Sequence, residues 1–220
     1  MDRESLTVDS IKTFAIGLAV AAIALPALAQ ERPGPVTLSV HPLKDGVNWV
    51  QGSVSNTGFI VGDKGVVVFD AQKTTEAARK VLAEIAKLTS KPVDKIVVSH
   101  ADPDHVGGLP AYPAGTAIIA QENTKSEIRA AAADPNGGPE YGPLYHTLFS
   151  FLPTRTIGST ETMVLDGVRM VLMHIAPAHT SGDLVVYLPP RRSLFAGDII
   201  TTNTGRYPVI HYPSGGSSLG

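Results

Sequence analysis

The stretch Ser99 to Gly108 reads SHADPDHVGG and places two aspartates and two histidines within six residues. The closest preceding cation is Lys95. Pro103 biases Asp102 toward extended backbone, and in an extended segment residues two apart face the same way. His100 and Asp102 can therefore point at one spot. Asp104 and His105 would aim at a second spot as the chain turns into a helix. Gly107 and Gly108 permit a tight turn and close backbone approach. Two carboxylates this close disfavour joint ionisation. A bound divalent cation removes that conflict, and imidazole nitrogen with carboxylate oxygen suits zinc, iron or manganese. The competing reading is a polar loop in which Asp102 or Asp104 caps the next helix.

Two later stretches bear on that choice. PAHTSGD places His179 just after the strand pattern MVLMHI, and FAGD places Asp198 at the end of the pattern SLFAG. Alone, His179 would read as a loop histidine and Asp198 as a turn or cap residue. Together with the first stretch they put candidate ligands at three strand ends. Ligand sites in layered α/β folds collect at strand ends on one edge.

The elements that must position these residues follow from periodicity and punctuation. VTLSV, VNWVQG, NTGFIVG and GVVVFD are short strand patterns separated by Gly, Asn and Asp. TTEAARKVLAEIAKL carries Ala77, Val81, Leu82, Ile85 and Leu88 at helical spacing, with Thr74 or Thr75 as cap and Glu76 in the first turn. KPVDKIVVS returns to a buried strand that ends at the opening stretch. GLPAY predicts a short helix, GTAIIA a strand and ENTKSEIRAAAA a second long helix. Residues 134–154, rich in Pro, Gly and Tyr, predict a surface insertion rimming a pocket. ETMVLDG, RMVLMHI, DLVVYLP and SLFAGD are again strands. This alternation predicts α/β layers with sheets covered by helices.

The ordered set HADPDH, AHTSGD and AGD resembles the metallo-β-lactamase superfamily from about Val36 onward. The resemblance implies a four-layer αβ/βα sandwich of two mixed sheets flanked by helices, with two divalent ions, most simply zinc, along one sheet edge. It implies that His100, Asp102 and His179 hold the first ion, that Asp104 and His105 hold the second, and that Asp198 bridges them. Asp70, closing the strand VVVFD, would be a partner behind a ligand histidine. Asp102 stands where the family usually has histidine. Three carboxylates and a hydroxide would then roughly cancel two divalent cations, weakening the Lewis acid and favouring harder metals such as Mn or Fe. The family supplies a last histidine some tens of residues beyond the bridging aspartate. No such segment follows here, so the domain, residues 36–220, is expected to be incomplete at its C-terminus. Arg206, Tyr207, His211 and Tyr212 are weak candidates for the pocket mouth.

The implied function is a metal-dependent hydrolase of a small molecule. A metal-bound hydroxide would attack a carbonyl in an ester, lactone, thioester or amide, β-lactams included, with Asp104 orienting it or carrying its proton. The alternatives are an iron-dependent oxidoreductase on the same fold and a non-catalytic metal-binding member.

Composition limits the rest. A net charge of −2 leaves no basic footprint for nucleic acid, and the absence of cysteine excludes disulfides, thiolate ligands and a cysteine nucleophile. Phe14 to Leu25 is apolar and Ala27-Leu28-Ala29 follows, which predicts a signal peptide over residues 1–29, a linker over 30–35 and export from the cytoplasm. The mature chain would then carry no membrane span. The acidic residues beside Arg3 and Lys12 keep an uncleaved anchor or a misassigned start as other readings.

Overall fold

A computed structural model describes residues 36–52, 54–135, 138–201 and 209–210. The expected signal peptide, the linker and Arg206, Tyr207, His211 and Tyr212 lie outside the described residues. Among those described, no helix is long and apolar enough to cross a membrane.

In chain order the strands are β1 (Ser39–Pro42), β2 (Val47–Gln51), β3 (Thr57–Val61), β4 (Val66–Phe69), β5 (Val93–Val97), β6 (Ala117–Gln121), β7 (Arg155–Ile157), β8 (Thr160–Leu165), β9 (Val168–His174), β10 (Leu184–Leu188), β11 (Ser193–Phe195), β12 (Ile200–Thr201) and β13 (Val209–Ile210). The α-helices are α1 (Thr75–Leu88), α2 (Pro103–Val106), α3 (Glu122–Ala133) and α4 (Gly138–Leu148). β1 to β7 form one sheet in sequence order, antiparallel up to β4 and parallel from β4 to β7. The second sheet runs β11-β10-β9-β8 and is antiparallel throughout, while β12 and β13 pair as a small ribbon.

The parallel strands need crossovers, and helices supply them. α1 forms because Ala77, Ala78, Val81 and Ile85 share one buried face and the Thr74 hydroxyl accepts from the Ala77 amide as cap. With Val106, Ile128, Tyr145 and Leu148, that face packs on Phe59, Val66, Val68, Ile96 and Val98 of the first sheet. The sheet's other face, carried by Val47, Ile60, Val67, Phe69, Val97 and Ile119, packs on Met170, Leu172, Leu184, Val186 and Leu188 of the second. Two facing sheets with helices outside the first are the α/β layering the sequence predicts.

Residues 134–154 correct an expectation. They are no surface insertion: α4 occupies most of the segment and sends Tyr145 and Leu148, 3% and 0% exposed, into the core. Tyr141, Leu144, Tyr145 and Leu148 recur at helical spacing, a pattern hidden by the surrounding Pro and Gly. β1 also starts later than VTLSV suggests, and GLPAY yields only a 3₁₀ turn over Leu109–Ala111.

Candidate metal centre

β4 and β5 run parallel, so their C-terminal ends lie side by side. Asp70 follows β4 and Ser99-His100 follows β5. Asp102 is extended, at φ −61 and ψ 145, and stands at the N-cap of α2, yet its side chain makes no cap hydrogen bond. It turns instead toward two imidazoles. The capping alternative therefore fails for Asp102. Asp104 and His105 lie in the single turn of α2.

Gly107 and Gly108 have ordinary backbone angles, so a tight turn is not their purpose. A Cβ on either would lie 2.0 Å from the Lys73 carbonyl or 1.9 Å from that of Ala71, so the close approach to the loop after β4 needs glycine. Gly197 does need its conformation, at φ +54. A Cβ there would meet Ser99 Cβ at 2.7 Å, so glycine brings the Asp198 segment onto the β5 end. His179 arrives from the loop between β9 and β10. The buried Asp183 shapes that loop, accepting from the Thr180 amide at 2.6 Å and the Thr180 hydroxyl at 3.0 Å.

The structure brings five predicted residues together in two overlapping groups that share His100, and Asp104 lies beside the second through His105. His100, Asp102 and His179 can each offer one ligand atom within 4.8 Å of the others, and so can His100, His105 and Asp198. Asp102 Oδ2 lies 3.4 Å from His100 Nε2 and 3.1 Å from His179 Nε2. His105 Nε2 lies 3.4 Å from Asp104 Oδ2 and 3.4 Å from Asp198 Oδ1. Tetrahedral zinc ligands at 2.0–2.1 Å from the ion stand about 3.3 Å apart. His100 Nε2 and His105 Nε2 are also buried without a hydrogen-bond partner. Two orphaned imidazole nitrogens beside carboxylates fit a cation better than they fit a finished hydrogen-bond network.

The electrostatics agree. Burial pushes Asp198 up, but His105, His100 and His179 outweigh it and hold its carboxyl at about 2. Burial likewise raises Asp102, and His100 and His179 bring it below the ordinary value. Asp104 is held low by His105, whose Nε2 lies 3.4 Å away, against burial. Burial pulls His105 down, while Asp70, Asp104 and Asp198 drive it well above its ordinary value. The acids thus demand positive charge at this edge.

Asp70 stands behind His105, with Oδ2 at 2.9 Å from Nδ1. Its φ of +62, uncommon for a residue with a side chain, turns the carboxylate inward. His41 lies apart, stacked on Trp49, and His174 at the end of β9 bonds the Ser181 carbonyl and Gln121. Beside the second group a cleft of about 470 Å³ is walled by Trp49, Val54, Phe69, Leu194, Phe195 and Ile200, and by Ser55, Asn56 and Thr57. No lysine or arginine lines it among the described residues. Sequence reasoning missed Ser99, Asp183 and this cleft wall. The first two stood inside motifs already quoted, whereas the wall joins residues far apart in the chain.

A family model described as the metallo-beta-lactamase superfamily matches residues 50–216. The linear primary-alkylsulfatase of Pseudomonas sp. (strain ATCC 19151) is 26% identical over 191 residues, covering 69% of this chain. The chain spans only 34% of the length of that relative. The metallo-beta-lactamase IND-7 superposes with a TM-score of 0.61 at 18% identity, covering 79% of this chain and 76% of its own. A metallo-beta-lactamase from Pontibacter korlensis gives 0.59 at 21% identity, covering 77% of each chain. The sec-alkylsulfatase Pisa1 from Pseudomonas sp. gives 0.52 at 19%, covering 70% of this chain and 30% of its own. With a family model matched over well more than half its length and the same fold in these structures, the chain belongs to the metallo-beta-lactamase superfamily.

Proposed function

We propose that the chain is a hydrolase working with two divalent ions, zinc first among them. His100, Asp102 and His179 would hold one ion, and Asp104 and His105 the other, with Asp198 reaching both. One observation carries this reading: His100 Nε2 and His105 Nε2 are buried without hydrogen-bond partners, the first 3.4 Å from one carboxylate and the second 3.4 Å from two. When bound, the ions supply Lewis acidity and lower the pKa of a water from 15.7 to about 7. Asp104, kept anionic by His105, orients the attacking water by accepting its hydrogen bond and takes its proton at a carboxylate oxygen. Asp70 fixes the His105 ring from behind. Phe69 and Phe195 stack with centroids 4.1 Å apart and line the cleft.

The cleft is lined mainly by polar groups, Ser55, Asn56 and Thr57 among them, with an apolar stretch that can take an apolar group next to the bond that breaks. Val54, Leu194 and Ile200 are 61%, 51% and 40% exposed and line this same cleft. The first reading is a carbonyl bond: ester, lactone, thioester or amide. The likeness to an alkylsulfatase favours a second, an alkyl sulfate ester. Zinc-loaded protein should hydrolyse a p-nitrophenyl acyl ester, hexyl sulfate or a chromogenic β-lactam. Two bound zinc ions with no turnover of any of them would defeat the hydrolase reading, and one bound iron with oxygen consumption would replace it with the oxidoreductase. We further propose that residues 1–29 direct export and that 36–220 form the catalytic domain. N-terminal sequencing of the protein recovered from outside the cytoplasm should begin near Gln30, and an intact Met1 would contradict export by cleavage.

A further inference from the structure

Resting on that ion-binding reading, we propose that Ser99 is a positioning residue that fixes the tautomer of His100 and ties both ion sites to one carboxylate, Asp70. Asp70 Oδ1 accepts the Ser99 amide at 2.7 Å. Its Oδ2 accepts the Ser99 hydroxyl at 2.8 Å and faces His105 Nδ1 at 2.9 Å. A carboxylate can only accept, so His105 carries its proton on Nδ1. The Ser99 hydroxyl has one proton, and that proton goes to Asp70. Its oxygen is therefore an acceptor toward His100 Nδ1, 2.9 Å away, and His100 too is protonated on Nδ1. Both rings then present an unprotonated Nε2, the form a cation requires. These are the two buried nitrogens that lack hydrogen-bond partners.

The chain of bonds runs from His100 through Ser99 to Asp70, and Asp70 receives His105 from the other side. One anion thereby aims a ligand of each group. Ser99 also joins the remaining ligand segments. Its carbonyl accepts from the Leu184 amide at 2.8 Å, just past the His179 loop. Gly197, beside Asp198, packs so closely that its Cβ would lie 2.9 Å from Ser99 Oγ. Residue 99 must be small and must carry a hydroxyl. Alanine would satisfy the first demand alone. His100 Nδ1 would lose its acceptor, and the proton would move to Nε2, where Asp102 Oδ2 waits 3.4 Å away. That tautomer blocks the cation.

The test uses the full chain and its Ser99→Ala variant with zinc chloride as the probe. Zinc affinity is read by competition with a chromophoric chelator, and the imidazole N–H protons by ¹H–¹⁵N spectra of the zinc-loaded protein. Wild type should bind two zinc ions and show exchange-protected Nδ1–H protons for both His100 and His105. S99A should keep the His105 proton, lose that of His100, and bind zinc about 10- to 100-fold more weakly. Wild-type affinity in S99A with an intact His100 resonance would overturn the relay. So would a zinc-loaded wild type whose His100 Nδ1–H exchanges freely, a result that needs no variant to fold. A wild type that binds no zinc would defeat the ion-binding reading itself.

Discussion

Midway along β5, Lys95 reaches Asp94 at 2.8 Å and both oxygens of Asp166 at 2.9 Å. Beyond the finish of the same strand, about 16 Å on at His100, Asp70, Asp102, Asp104 and Asp198 gather around His100, His105 and His179. No lysine or arginine lines the adjoining cleft among the described residues. Both places draw carboxylates from distant parts of the chain. At the first, the sequence itself provides the cation that holds β5 to the turn between β8 and β9. At the second it provides ligands without a fixed cation, leaving imidazole nitrogens unsatisfied. Charge neutralised by the chain serves stability, and on the proposed reading charge left for an ion serves chemistry.

The contrast breaks most visibly at His100, shared by both groups. His100→Ala should abolish binding of at least one zinc ion and lower turnover by about 10³-fold, since the acidified water is lost. Metal analysis and single-turnover rates read this. The Lys95 cluster should respond in folding alone. Lys95→Met leaves Asp166, only 6% exposed, without its partner. A fully buried pair broken this way costs 3–5 kcal/mol, and solvent at Lys95 and Asp94 reduces this to about 2–3 kcal/mol. Urea unfolding should register that loss while zinc affinity holds. Burial pulls Lys95 down, but Asp94 and Asp166 outweigh it and raise it above the ordinary 10.5. Its contribution therefore persists through neutral pH and disappears only as alkaline pH passes the raised value.

The clustering of these side chains was legible because it is local. His100 with Asp102, and Asp104 with His105, are fixed by a strand end, a proline and one helical turn, so spacing alone predicts two target spots. His179 and Asp198 could be added because strand ends on one edge converge. Less legible were contacts between segments. Nothing near Ser99 in sequence reveals that Gly197 packs on it or that Asp70 lies across from it. The glycines after His105 could be read as needed, yet their reason is the approach of the loop at Ala71 and Lys73, a long-range fact. α4 was hidden because Pro143 and its neighbouring glycines outweighed four apolar residues at helical spacing.

Two smaller effects sharpen the comparison within the histidine cluster and its cleft. Asp183→Ala frees the Thr180 amide and hydroxyl and loosens the His179 loop. It should weaken the first ion about 10-fold, read by stepwise zinc titration, and leave the second nearly unchanged. Val54→Ser removes exposed apolar surface from the cleft wall. It should raise KM for a hexyl substrate about 3-fold, with kcat and the unfolding midpoint constant. Equal effects on hexyl and acetyl substrates would show that Val54 does not meet the apolar group.

The convergence of six side chains on shared cations is tested most directly by anomalous diffraction at the zinc edge from crystals grown with zinc. Two peaks are predicted, one among His100, Asp102 and His179 and one among Asp104, His105 and Asp198. A fully zinc-equilibrated crystal with no peak between these side chains would contradict the account.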